Sequence, residues 1–223
     1  MSSLIFDLDE TLIDRAETMR LFLTNQYPRF EESIKATKDE FVRSVLHHQK
    51  NGYENKHTAY QLACVELFGC DQIADELFKD FKDKYGFEAV LFDGAKESLV
   101  DLFQKYSLGL VTNGRARCQN AKIDFVGIRH LFKAIMISEE FGPKKPEPSI
   151  FEACLNELGT QANTCICIGD NPDNDLKPAR ELGMKVIWVR NTNFSTPKEV
   201  DGIIDSISDI QEVIQRIETN KNV

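Results

Sequence analysis

The 223-residue chain is 42% hydrophobic and 28% charged, the profile of an ordinary globular protein with room for one large domain or one domain plus a smaller one. Its formal net charge of -9 repels nucleic acid and anionic lipid, so neither is an expected partner. An anionic substrate would need a site that is locally positive or bears a metal.

No uncharged apolar run approaches the roughly 20 residues that span a bilayer. The N-terminal apolar run meets Asp7 almost at once, which does not fit a signal peptide, so no membrane is expected and the cytoplasm follows as the location.

In chain order, residues 3–7 form a short apolar run that predicts a buried strand. Asp7 and Asp9 are two residues apart, a spacing that puts both carboxylates on one side where the strand gives out. Such a pair can hold a hard cation and present a nucleophilic oxygen. From about residue 15 to 86 the pattern is helical. Met19, Phe22, Leu23 and Tyr27 recur at helical spacing, with Pro28 expected to close the segment. Thr37 and Glu40 predict a capping box ahead of Phe41, Val42, Val45 and Leu46, and Gly52 is the expected stop. A third helix carries Tyr60, Ala63, Leu67 and Phe68 up to Gly69. Asp71 is the expected cap of a fourth, with Ile73, Leu77, Phe78, Phe81 and Tyr85 inward.

After Phe92-Asp93-Gly94 the rhythm changes to alternating helices and strands. Helices are expected over 95–105, 116–126, 149–158, 176–182 and 208–217. Strands are expected over 107–112, 134–137, 164–168, 185–189 and 203–204, with a fraying polar tail from Glu218. Near-continuous apolar strands between helices predict an α/β fold with a parallel sheet covered on both faces. The helical block interrupts it after the first strand. The domains are therefore 1–14 with 90–223 as the core and 15–89 as an inserted helical cap. The six cysteines match no zinc spacing and read as buried thiols in a reducing compartment.

Ligands of open α/β sheets bind beyond the carboxyl ends of the strands. The first four core strands deliver Asp7-Leu8-Asp9, Thr112-Asn113-Gly114, Lys144-Lys145-Pro146 and Gly169-Asp170-Asn171-Pro172-Asp173-Asn174-Asp175 to that edge. These parts suit phosphoryl transfer. Asp7 and Asp170 supply oxygen ligands for Mg2+. Thr112 and the N–H groups of Asn113-Gly114 can donate to phosphoryl oxygens, and Lys145 is a point charge for phosphate. Asp9 can protonate a leaving oxygen and then activate water.

With these four ordered motifs the chain resembles the haloacid dehalogenase superfamily, in the branch with a helical cap after the first strand. The stretch Ser138-Glu139-Glu140-Phe141-Gly142-Pro143-Lys144-Lys145-Pro146 adds to the likeness. The resemblance implies a Rossmann-like core with the first strand central. It implies Asp7 as the nucleophile that forms an aspartyl-phosphate and Asp9 as general acid/base, its backbone carbonyl also reaching the metal. Thr112 would bind the phosphoryl group, Lys145 would steady the intermediate, Asp170 would bind Mg2+, and Asp175 would hold the metal's waters. Glu10 occupies a position where many relatives have glycine.

The cap offers Arg15, Arg20, Arg43, His47, His48, Lys50, Lys56 and His57 as cationic candidates, most of them expected on solvated faces. Arg15 stands out because it closely follows the nucleophile strand. The expected activity is Mg2+-dependent hydrolysis of a small phosphate monoester: a nucleoside monophosphate, a sugar phosphate or phosphoglycolate. The protein would be a monomer or homodimer. The alternatives are a dehalogenase, which attacks carbon without Mg2+ and usually lacks the second acid, a phosphomutase, and a non-catalytic phosphate-binding protein.

Overall fold

A computed structural model describes residues 2–50 and 54–219. The chain divides into two compact units, one of residues up to Asp14 and from Val90 onward, the other Arg15–Ala89.

The first unit is built on β1 (Ser3–Phe6), β2 (Ser107–Thr112), β3 (Ala134–Ile137), β4 (Cys165–Gly169), β5 (Lys185–Val189) and β6 (Gly202–Ile204). They form one sheet in the order β3-β2-β1-β4-β5-β6, with every pairing parallel. β1 is central, as expected, with Ile5 opposite Gly109 on one side and Cys167 on the other. Its apolar side chains Leu4, Ile5 and Phe6 are fully buried, because a parallel strand between two neighbours has both faces covered. One face packs Ile5, Val111, Cys167 and Trp188 against Phe151, Cys154 and Leu158 of α8 (Pro148–Leu158) and Ala179 of α9 (Lys177–Glu181). Gly109 allows that approach, since a Cβ there would lie 2.6 Å from Cys154 Sγ. The other face is covered by α5 (Ala95–Phe103) and α10 (Ile210–Thr219).

The remaining helices of this unit are α6 (Ala116–Phe125) and the short α7 (Ser138–Phe141), which the sequence reading leaves as a loop. Two further departures are local. A π-helical turn, Pro172–Leu176, precedes α9 and displaces its expected start. Ser206 accepts a hydrogen bond from the Ser208 N–H, so residues 207–209 form a 3-10 turn and α10 begins at Ile210. The helix includes Glu218, which accepts from Tyr106 Oη at 3.2 Å, and Thr219, and the expected tail from residue 220 lies outside the described residues.

The second unit is all helical: α1 (Arg15–Phe30), α2 (Lys38–His48), α3 (Lys56–Phe68) and α4 (Ala74–Lys84). Met19, Phe22, Leu23, Phe41, Tyr60, Leu77 and Phe81 form its buried interior. The capping box at Thr37 and Glu40 and the left-handed Gly69 cap are present. Pro28 does not end α1. It sits in the last turn, where it forfeits one backbone donor, and Arg29 ties that turn to Asp80 of α4. Asp71 does not cap α4: it offers its backbone carbonyl to the Ala74 N–H, and Ile73 takes the cap position without a side-chain bond. The expected stop at Gly52 lies outside the described residues, and the cap of α2 is Gln49. All six thiols are free, five buried and Cys70 half-buried. Among the described residues, no helix is long and apolar enough to cross a membrane.

Candidate active site at the carboxyl edge of the sheet

β1 ends at Phe6, and the Asp7 N–H still pairs with the Ile168 carbonyl of β4 at 2.9 Å. The chain then folds into a tight turn, with Leu12 N–H on Leu8 O and Glu10 N–H on Ile13 O. Glu10 has φ 63, a left-handed backbone that favours glycine. Because the strand has stopped, the period of two does not carry to Asp9. Asp7 turns toward β4 and Lys145, whereas Asp9 turns toward α6.

Lys145 is 4% exposed. Its Nζ lies 2.5 Å from Asp7 Oδ1, 2.6 Å from Asp175 Oδ1 and 2.9 Å from the Val111 carbonyl. Asn113 fixes its backbone from both sides, donating to Lys145 O at 2.9 Å and accepting from Lys145 N at 2.8 Å. Lys144, by contrast, is exposed. Asp170 follows β4 and is held by Asn191 Nδ2 at 2.7 Å, while its carbonyl accepts from Trp188 Nε1 at 2.8 Å. Asp175 comes from the π-helical turn, and its Oδ2 accepts from the Asn171 N–H. Asp173 is exposed, and the Asn171 side chain caps the turn.

Asp7, Asp170 and Asp175 are all buried and each offers one oxygen within 4.8 Å of the others. Three carboxylates face a single lysine, so the fully ionised cluster carries two uncompensated negative charges. Burial, and then the repulsion of Asp175 against the attraction of Lys145, pushes Asp7 up to about 7. Burial and the charges of Asp7 and Asp175 push Asp170 up to about 8. Burial alone would lower Lys145, but Asp175 and Asp7 overcome it and raise its pKa. Lys145 is therefore held charged, and the strain falls on the acids. Asp175 Oδ1 is buried against Lys145 Nζ. Buried carboxylate oxygens with two missing positive charges fit a divalent cation on oxygen ligands.

Thr112 is 1% exposed, and its Oγ1 accepts from Gln119 Nε2 at 2.6 Å. The Gly114 N–H donates to Ser138 Oγ at 3.0 Å, so this expected phosphoryl donor already has a partner. Asp9 is bound by Lys122 Nζ at 2.6 and 2.9 Å and by Gln119 Nε2 at 3.0 Å. Arg15 lies in the other unit, half-buried at the first position of α1. The sequence reading misses Gln119, Lys122, Ser138 and Asn191. Asn191 was within reach of the same rule, since it follows the carboxyl end of the fifth core strand. Gln119 and Lys122 were signalled only as polar residues three apart on a helix beside the Thr112 turn.

A parallel α/β core with an all-helical insertion and this acid–lysine edge defines a class, and the comparisons give its family. The family model for haloacid dehalogenase-like hydrolases matches residues 4–189, and the chain belongs to that family. It is 26% identical to the N-acylneuraminate-9-phosphatase of Homo sapiens, over 97% of this chain and 94% of that one. Two solved structures share the fold. One is the HAD-hydrolase YfnB of Bacillus subtilis bound to magnesium, at TM-score 0.71 and 20% identity over 96% of this chain and 98% of that one. The other is the 2-haloacid dehalogenase of Pseudomonas syringae, at TM-score 0.64 and 23% identity over 97% and 99%.

Proposed function

We propose that the chain is a Mg2+-dependent phosphoric monoester hydrolase acting on a small phosphorylated metabolite. The observation that carries this is the buried cluster of Asp7, Asp170 and Asp175, which among the described residues has one lysine, Lys145, to offset it. Hydrolysis of a carbon–halogen bond needs no metal, and a site built for it alone has no use for two surplus buried negative charges. The second acid, Asp9, points the same way, because a leaving alkoxide needs a proton and a leaving halide does not.

Asp7 and Asp170 would hold Mg2+, with Asp175 beside them and the Asp9 backbone carbonyl as a further oxygen. The bound ion offsets the repulsion between a carboxylate nucleophile and an anionic phosphoryl group. Asp7 attacks phosphorus with one carboxylate oxygen. The bond from phosphorus to the ester oxygen breaks, its electron pair stays on that oxygen, and Asp9 supplies the proton. Water then attacks the phosphorus of the aspartyl-phosphate while Asp9 takes a proton from it. The bond to Asp7 breaks, and inorganic phosphate leaves. Thr112 and the Asn113 N–H orient the phosphoryl oxygens, and Lys145 keeps the nucleophile ionised and in place. Catalysis is thus mainly positioning and charge stabilisation.

Residues 15–89 act in this reading as the cap that selects the substrate and excludes water, with Arg15 a candidate contact for it. The likeness to a phosphatase of an acylated sugar acid favours sugar phosphates among the candidate substrates. Six free thiols agree with a reducing compartment, the cytoplasm.

The test is phosphate release from 4-nitrophenyl phosphate with and without Mg2+, then from a panel of sugar phosphates, nucleoside monophosphates and phosphoglycolate. Activity should require Mg2+ and vanish in Asp7→Asn. Undiminished turnover in Asp7→Asn, or metal-independent halide release from a 2-haloacid in place of phosphate release, overturns the proposal.

A further inference from the structure

We propose that Gln119 and Lys122 are positioning residues that hold the Asp9 carboxylate for proton transfer and tie it to the phosphate-binding Thr112. The inference rests on the assignment of Asp9 as the proton carrier. Both residues lie on one face of α6, three positions apart, and each is only 2% exposed. Lys122 Nζ meets both oxygens of Asp9, at 2.6 and 2.9 Å. The Gln119 amide nitrogen reaches three acceptors, Thr112 Oγ1 at 2.6 Å, Asp9 Oδ2 at 3.0 Å and, more distantly, the Asn113 carbonyl at 3.3 Å. A single side chain therefore bridges the group that moves the proton and the hydroxyl that would hold the phosphoryl oxygen.

The surroundings are shaped for this bridge. A Cβ on Gly114 would lie 3.1 Å from both Cγ and Cδ of Gln119, so a glycine in the Thr112-Asn113-Gly114 turn clears space for the glutamine. The first turn of α6 is fixed by Glu139, which accepts from the Ala116 N–H at 2.8 Å. Asp9, in contrast, sits in a turn after the strand has ended, with its side chain 19% exposed. Its backbone forms an isolated bridge to Ile13, outside the sheet, and α6 supplies the side chains that grip its carboxylate. Proton transfer in a transition state requires placement to a fraction of an ångström, and two buried donors on a rigid helix supply it. A purely structural ion pair would not need the second contact to Thr112.

The experiment compares kcat/KM for phenyl phosphate and 4-nitrophenyl phosphate, with Mg2+ present. This parameter covers the steps up to departure of the leaving group, and the phenoxide needs a proton far more than the nitrophenoxide does. Lys122→Met and Gln119→Leu are expected to lower kcat/KM for phenyl phosphate by about tenfold or more, and clearly less for the nitrophenyl ester. Lys122→Arg should restore the wild-type ratio of the two. Asp9→Asn is the reference and should show the same bias more strongly. Should Lys122→Met not fold, as read from its thermal unfolding, Gln119→Leu carries the test. Equal losses on both esters in the folded variants, with the bias intact in Asp9→Asn, overturn the positioning role and leave the phosphatase proposal standing. No bias in Asp9→Asn overturns the assignment of Asp9 itself, and this inference with it.

Discussion

Lys145 brings one positive charge to three buried carboxylates, and the imbalance makes the stability of the metal-free protein depend on pH. Asp7 is pushed from 3.8 to about 7 and Asp170 from 3.8 to about 8, first by burial and then by neighbouring acids. Between about pH 4 and pH 8 the folded state thus keeps protons that the unfolded chain has released. Stability should fall as pH rises through that window, by about 1 kcal/mol per pH unit for each net proton. Lys145 adds no slope there, because it is protonated in both states below its unfolded pKa. Urea unfolding in EDTA across this range should show the decline, and Mg2+ should flatten it by replacing the protons. Asp170→Asn should weaken the decline in EDTA; an identical slope in that variant, or no effect of Mg2+, sinks the account. These acids and Lys145 were legible in sequence because each follows the carboxyl end of a strand. Gln119 and Lys122 were not, since a buried polar side chain on a helix looks like a solvated one until its partner is known.

The element that brings the third acid into place is the turn after β4, and its geometry depends on Gly169. A Cβ there would lie 2.6 Å from Asp175 Cβ and 2.7 Å from its Oδ2. The π-helical turn Pro172–Leu176 folds Asp175 back over the strand end, where the Asn171 N–H donates to its carboxylate, consistent with the frequent occurrence of such turns at functional sites. Gly169→Ala should push Asp175 out and weaken Mg2+ binding about tenfold, within the range seen when groups behind a metal site are lost. Isothermal titration of the folded variant checks this, and unchanged affinity counts against a role for Asp175. The strands themselves were readable as apolar runs between turn residues, and β2, β3 and β5 fall where expected. The helix ends were less so. Pro28 is overrun because Arg29 is captured by Asp80 in another helix, and the π-helical turn is held by Asn171 Oδ1 accepting from the Asp173 and Asn174 N–H groups and by Asp175 Oδ2 accepting from the Asn171 N–H. Neither partner is visible from local propensity.

At the scale of the whole chain, the helical unit is inserted between two segments that pair with each other. Asp14 N–H donates to Val90 O, Phe92 N–H donates to Leu12 O, and Ile13 bridges Leu91 in antiparallel fashion. The chain leaves and rejoins the first unit at one point, so a short linker could close the gap at small cost in loop entropy. All six strands, the acid cluster and α6 belong to that first unit, while the inserted helices have their own buried interior of Phe22, Phe41, Tyr60 and Phe81. Replacing residues 15–89 with a short Gly-Ser linker should therefore leave a core that unfolds cooperatively and still gains thermal stability from Mg2+. It should lose its preference among phosphorylated metabolites, as the proposed role of residues 15–89 in selection requires. Calorimetry with and without Mg2+, followed by the ester panel, separates the two parts of this claim. A core that fails to fold shows that the units depend on each other. A folded core that keeps the substrate ranking of the full chain places selection in the sheet edge and removes the case for residues 15–89 as the selecting cap.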